Sequence, residues 1–212
     1  MYQSNEARMD NNNLKKHIAE TAYNVGYSAK LHFASFEMIE KLPGLISFIS
    51  MSFGIYALAF SELSTKLMSC TLLVLGLIGL YITMKNGDKA NYETKGIKLT
   101  DLFNELKHLM LKAEHQSPDT EIINNELQDI EARYNQSCAS HHIMFATWFA
   151  HYKFFWEQQI GWIDNYRPFG FFRDKIPLTL WVTLIVTTLI VVFNCTNILA
   201  AVCEFINTKG GN

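Results

Sequence analysis

Residues 42–84 read LPGLISFISMSFGIYALAF (Leu42–Phe60), SELSTK (Ser61–Lys66) and LMSCTLLVLGLIGLYITM (Leu67–Met84). The two outer blocks hold no Asp, Glu, Lys or Arg, and only Ser61–Lys66 separates them. The hydrocarbon core of a bilayer is ~30 Å thick, and a helix crosses it with about 20 apolar residues. Both blocks reach or nearly reach that length. In lipid only a helix satisfies its own backbone N–H and C=O groups, so the stretch predicts two membrane helices joined by a short turn. A further uncharged block, Ile176–Cys203, predicts a third. The expected fold class is an all-α membrane protein: a transmembrane helical hairpin with long cytoplasmic helices plus a third C-terminal transmembrane helix.

Charge sets the expected orientation. Arg8, Lys15, Lys16, Lys30 and Lys41 precede the first span, and the hairpin tip has Lys66. Eleven Lys and Arg lie between Lys85 and Lys175, and the tail has Lys209. Basic loops stay inside, so the N-terminus and central region are expected in the cytoplasm and the C-terminus outside. The net charge of −2 gives no basic face for a nucleic-acid duplex. Met1–Asn13 is too polar for a cleavable leader. The four cysteines, Cys70, Cys138, Cys195 and Cys203, show neither metal spacing nor a disulfide framework.

Working outward from the hairpin, the chain divides into five parts. Residues 1–13 are expected to be a disordered N-terminus. Residues 14–84 form a long helix and the membrane hairpin, with spans at about 42–60 and 67–84. Residues 85–175 form a cytoplasmic helical region, 176–204 the third span, and 205–212 a tail. Leu14, Ile18, Ala22, Val25, Ala29, Phe33, Phe36 and Ile39 recur at helical spacing. Pro43 leaves two solutions open, one long kinked helix or two helices, and the first is favoured. Lys85-Asn86-Gly87-Asp88 marks the membrane exit.

A second period, Leu99, Leu102, Phe103, Leu106, Leu109, Met110 and Ala113, predicts a helix. Ser117-Pro118-Asp119 then reads as a helix start, with Ser117 as cap. Ile123, Leu127, Ile130 and Tyr134 carry the next helix. These two helices make a hairpin whose apolar faces need the Leu14–Ile39 helix. Twelve of the 28 aromatics fall between Phe145 and Phe172. That segment either lies on the membrane surface, holds a planar ligand, or forms an aromatic core.

No catalytic set emerges, so an enzyme is not expected. His141, His142 and His151 lack zinc or di-iron spacing. There is no phosphate-cradling Gly loop and no nucleophile elbow. No cofactor is expected. The spans are more informative. Thr179, Thr183 and Thr187 recur every four residues, with Asn194 seven further on. The first span carries Ser47, Ser50 and Gly54, the last two in small-xxx-small spacing. These residues either pack the three spans of one chain or line a pore in a homo-oligomer. Strong charge selectivity is not expected without a charged ring. Lys30, about three turns before Pro43, is expected to meet an Asp or Glu in the bundle, or an anionic ligand between subunits.

The run Tyr23–Phe33 resembles the SLATT domain, in which an aromatic-x-Ala-Lys-x-His-Phe helix leads into a transmembrane hairpin followed by cytoplasmic helices. Tyr27, Ala29, Lys30, His32 and Phe33 match that run. The hairpin and the helices to about Gln136 match in order. The resemblance implies a membrane effector of bacterial anti-phage and conflict systems, located in the inner membrane. It implies perforation of the bilayer when a cyclic nucleotide or a nucleotide-synthesising or nucleotide-sensing partner protein signals infection. Tyr27, Lys30 and His32 become regulatory or ligand-contact residues. The other reading is a non-conducting membrane anchor or adaptor that docks a cytoplasmic partner.

Overall fold

The computed structural model describes residues 2–60, 65–115, 119–137, 142–158, 160–170, 174–189 and 192, with side chains from residue 11 onward. It divides into two units, Met1–Pro168 and Phe169–Asn212. Among the described residues every regular element is helical.

In the first unit α1 spans Tyr2–Ala59. At 1.5 Å per residue it is roughly 85 Å long. Its start at Tyr2 differs from the disorder expected for the first 13 residues. Once packing of the later turns nucleates a helix, each further residue adds a hydrogen bond, so the polar segment follows. Pro43 lies inside α1 without ending it, so the single-helix solution holds.

α2 spans Lys66–Thr83 and opens on Thr65, whose Oγ1 accepts the Met68 N–H at 3.3 Å. The exit at Lys85–Asp88 is a tightening rather than a break: Asn86–Asp88 is a 3₁₀ turn. It leads directly into α3, Lys89–Ala113, ten residues before the apolar period predicts. α4 spans Thr120–Ser137. Its cap is Asp119, whose Oδ1 accepts the Ile122 N–H at 3.2 Å. Ser117, the expected cap, lies outside the described residues.

α1, α3 and α4 pack as a three-helix bundle beyond the apolar hairpin. Ile18, Ala22 and Val25 of α1, Leu99, Leu106 and Leu109 of α3, and Leu127 of α4 are at most 1% exposed. Each buried Leu or Ile contributes about 1.5–3 kcal/mol relative to exposure. The rim is tied by Arg133 to Glu105 and to Asp129 (2.9 Å), and by Lys112 to Glu126 (2.7 Å).

The aromatic segment folds back onto α1 as α5 (Ala146–Tyr152), a π turn at Lys153–Glu157, and α6 (Gly161–Asp164). Phe154, Ala146, Ala150 and Ile163 are fully buried, whereas Trp156, Tyr152 and Phe145 are exposed. One side of the segment is therefore core. Phe145 begins α5 with φ at 68°, a left-handed conformation that costs a bulky residue about 1–3 kcal/mol.

In the second unit α7 spans Leu178–Leu189. Leu178, Val182, Ile185 and Leu189 are exposed along it. The remainder of the expected third span, with Asn194, Cys195 and Cys203, lies outside the described residues, as do Cys138 and His141.

Candidate functional site

The matched run on α1 forms one wall of a polar layer between the bundle core and the hairpin. Helical spacing places Ser28, His32 and Ser35 on one side of α1 and Tyr23, Tyr27 and Lys30 on an adjoining side. α3 and α5 supply the partners.

His32 is 1% exposed. Its Nδ1 stands 2.8 Å from the Ser28 carbonyl oxygen. A carbonyl only accepts, so the ring proton sits on Nδ1. Nε2 is then an acceptor, and it has no partner among the described residues. Burial lowers the His32 pKa, assisted by the charge of Lys95 and opposed by the Ser28 hydrogen bond. The ring is held neutral between His142, perpendicular at 4.8 Å, and Tyr92 at 6.1 Å. Ser35 donates to the Leu31 carbonyl at 3.0 Å and lies 3.5 Å from His142 Nδ1.

Tyr27 Oη meets His151 Nδ1 at 2.8 Å. Burial first, and neighbouring Tyr23 second, push the Tyr27 phenol well above its ordinary pKa. Tyr23 stacks on Tyr27 at 6.0 Å, and the Arg167 guanidinium lies 3.9 Å over the Tyr23 ring. α5 and the loop after α6 are thereby fastened to the same turns of α1.

Lys30 is half-buried. Burial lowers its pKa, and the charge of Lys153 lowers it further, against Glu157 and Glu37. The two carboxylates that act on Lys30 also serve another lysine: Glu37 pairs with Lys153, which also reaches Glu157 at 4.0 Å. Burial raises the Glu37 pKa, but the hydrogen bond and charge of Lys153 more than offset it, and the net shift is downward. Lys30 therefore brings positive charge beside a pair already formed. The long-range partners His142, His151 and Arg167 escape sequence reasoning, because nothing local links them to α1.

The hydroxyls of the spans are spent locally. Ser47 donates to the Pro43 carbonyl at 2.8 Å, Ser52 to Phe48 at 2.9 Å and Thr183 to Thr179 at 2.8 Å. Thr179 and Thr187 are exposed and Ser50 half-buried. A Cβ added at Gly54 or Gly76 meets nothing, whereas one at Gly79 meets Ile46 at 3.6 Å. Gly79 thus marks where α2 packs on α1, and Gly54 and Gly76 face away from the chain. Among the described residues no three His, Cys, Asp or Glu side chains gather as a metal set. A groove of about 550 Å³ between α3 and α4 is lined by Glu105, Lys112, Glu126 and Arg133. Those charges are already paired with one another.

Comparison with curated proteins and with solved structures gives no match. A family model does match, over residues 9–184: SMODS and SLOG-associating 2TM effector domain 6. That range takes in α1 from residue 9 onward, α2 through α6, the polar layer and the first turns of α7. The chain therefore belongs to the SLATT family of two-transmembrane effector domains associated with nucleotide-signalling systems.

Proposed function

We propose that this protein is a membrane effector of a bacterial anti-phage defence system. It assembles as a homo-oligomer and forms a pore or disrupts the inner membrane when a nucleotide signal or a partner protein acts on the cytoplasmic bundle. The observation that supports this best is the bareness of the hairpin. The most apolar window of α1 has no buried residue, and that of α2 is 6% buried. With Gly54 and Gly76 open outward, helices of neighbouring copies have room for close approach. In this reading Ser47, Ser50, Gly54, Thr179, Thr183, Thr187 and Asn194 serve the interhelical contacts or the lumen. Tyr27, Lys30 and His32 couple the trigger to the hairpin through α5.

A second reading, the non-conducting anchor or adaptor, is favoured by the hydroxyls of Ser47, Ser52 and Thr183, which bond their own helix. A potential-sensitive dye in cells expressing the full chain separates the two. Depolarisation on supply of the trigger is expected of the effector. An unchanged signal, with the protein verified in the membrane, selects the anchor.

A further inference from the structure

A groove of about 290 Å³ opens between the two helices of the hairpin. Val74, Ile78 and Ile82 of α2 line it, with Leu42 of α1 and the Met144–Phe145 turn. From Val74 to Ile82 the groove runs ~12 Å along α2, close to the depth of one leaflet of a ~30 Å hydrocarbon core. Apart from the Tyr81 hydroxyl its lining is apolar, which suits an alkyl chain.

Two further observations specify it. Phe145 keeps its left-handed backbone with its ring half exposed on the groove wall, and Met144 beside it is also exposed. The strained turn thus leaves Met144 and about half of the Phe145 ring, which also packs edge-on against Trp148 at 5.4 Å, open beside the groove. Along the chain, Lys41 directly precedes Leu42 of the groove wall, and Lys85 and Lys89 follow Ile82. Lys41 and Lys89 are paired with Glu37 and Glu40, at 3.4 and 3.2 Å. Lys85, one turn beyond Ile82, has no carboxylate within 4.0 Å among the described residues. Asp88 is the nearby carboxylate outside those pairs. Juxtamembrane lysines attract anionic lipid headgroups.

We propose that this groove is a binding site for one anionic phospholipid, its acyl chain lying between α1, α2 and the Met144–Phe145 turn and its phosphate over Lys85. The lipid fastens the start of α5 to the hairpin. The site stands whether or not the protein conducts.

The test uses the full chain in phosphatidylcholine nanodiscs doped with phosphatidylglycerol carrying a photoreactive acyl chain, with labelled positions read by mass spectrometry. Met144 and Ile78 should be labelled well above Leu58 and Leu73, exposed span positions that report bulk lipid. Lys85→Gln should lower the preference for phosphatidylglycerol over phosphatidylcholine probe about fivefold, the effect of one lysine at an anionic surface. Ile78→Trp should bring Met144 down to the bulk level. Phe145→Gly relieves the backbone strain but removes the Phe145–Trp148 ring contact, and with its helicity verified by circular dichroism it should also lose the excess. Equal labelling of Met144 and Leu58 in the parent overturns the proposal. So does protection of the groove together with protein–protein crosslinks at Met144, which would put a second copy or the C-terminal helix there.

Discussion

Gly26 sits where α1 meets two aromatic rings, and small changes there have calculable effects. A Cβ built on Gly26 lies 2.7 Å from Phe103 Cδ2 and 3.0 Å from Phe154 Cε2. Both rings are buried, so they have little room to retreat. Overpacking costs about 1–3 kcal/mol, and the helix gain of Ala over Gly returns ~1 kcal/mol. Gly26→Ala should therefore lower stability by ~1 kcal/mol, read as an earlier thermal unfolding in detergent. Gly96→Ala is the control. Its Cβ meets the half-buried Phe33 ring at 3.0–3.1 Å, which can yield by tenths of an ångström, so the change should be near neutral. His32 gives a pH prediction. Its native pKa lies below the ordinary value of 6.5. Between that lowered value and 6.5 the unfolded chain binds more protons than the native one, so stability falls as the pH drops through this window. His32→Gln should flatten the dependence of unfolding temperature on pH between about 7.5 and 5.5. An equal slope in both proteins would assign the effect to other histidines.

At the scale of elements, α7 carries the sharpest prediction. Thr183→Val and Thr187→Val on α7, with Asn194→Leu beyond it, remove all the polar side chains of the expected stripe except Thr179. Interhelical hydrogen bonds in membranes average about 0.6 kcal/mol, and Thr183 donates to its own helix, so the triple variant should insert and fold. If the stripe lines a pore, the narrow apolar lumen dewets and conductance is lost with assembly intact. If it packs helices, oligomer mass falls first and conductance follows. Unchanged leakage moves attention to Ser47, Ser50 and Gly54. The two apolar helices of the hairpin, α3 and α4 were legible in the sequence because uncharged blocks and three-four spacing are local signals. Leu99 through Ala113 fall on the buried face of α3 as the period requires. The start of α3 at Lys89 was missed because Gly96 has no apolar side chain to mark the stripe, although Tyr92 and Gly96 continue the four-three spacing into Leu99 and Phe103. The polar layer was half legible. The run on α1 pointed to Tyr27, Lys30 and His32, but the Tyr27–His151 bond joins residues 124 positions apart, and only the fold brings them together. The aromatic count between Phe145 and Phe172 left surface and core open. The π turn decides part of it by burying Phe154 while leaving Trp156 exposed.

For the whole molecule, membership of a two-transmembrane effector family and two long apolar helices with bare faces support a chain that acts in a bilayer with copies of itself. Its expected orientation follows from the lysines and arginines before Leu42 and after Met84. A single cysteine at Lys95, in an otherwise cysteine-free chain, should resist a membrane-impermeant label in intact spheroplasts and react after lysis. Labelling from outside would invert the topology. In the proposed function these bare helices assemble into a path across the membrane. The most direct measurement is release of a trapped dye from liposomes holding the full chain, with candidate nucleotides and partner proteins supplied in turn. Release should rise more steeply than linearly with protein per liposome, as assembly of several copies requires. Intact liposomes at every protein density, with correct insertion and with a trigger shown to bind the chain, would contradict it.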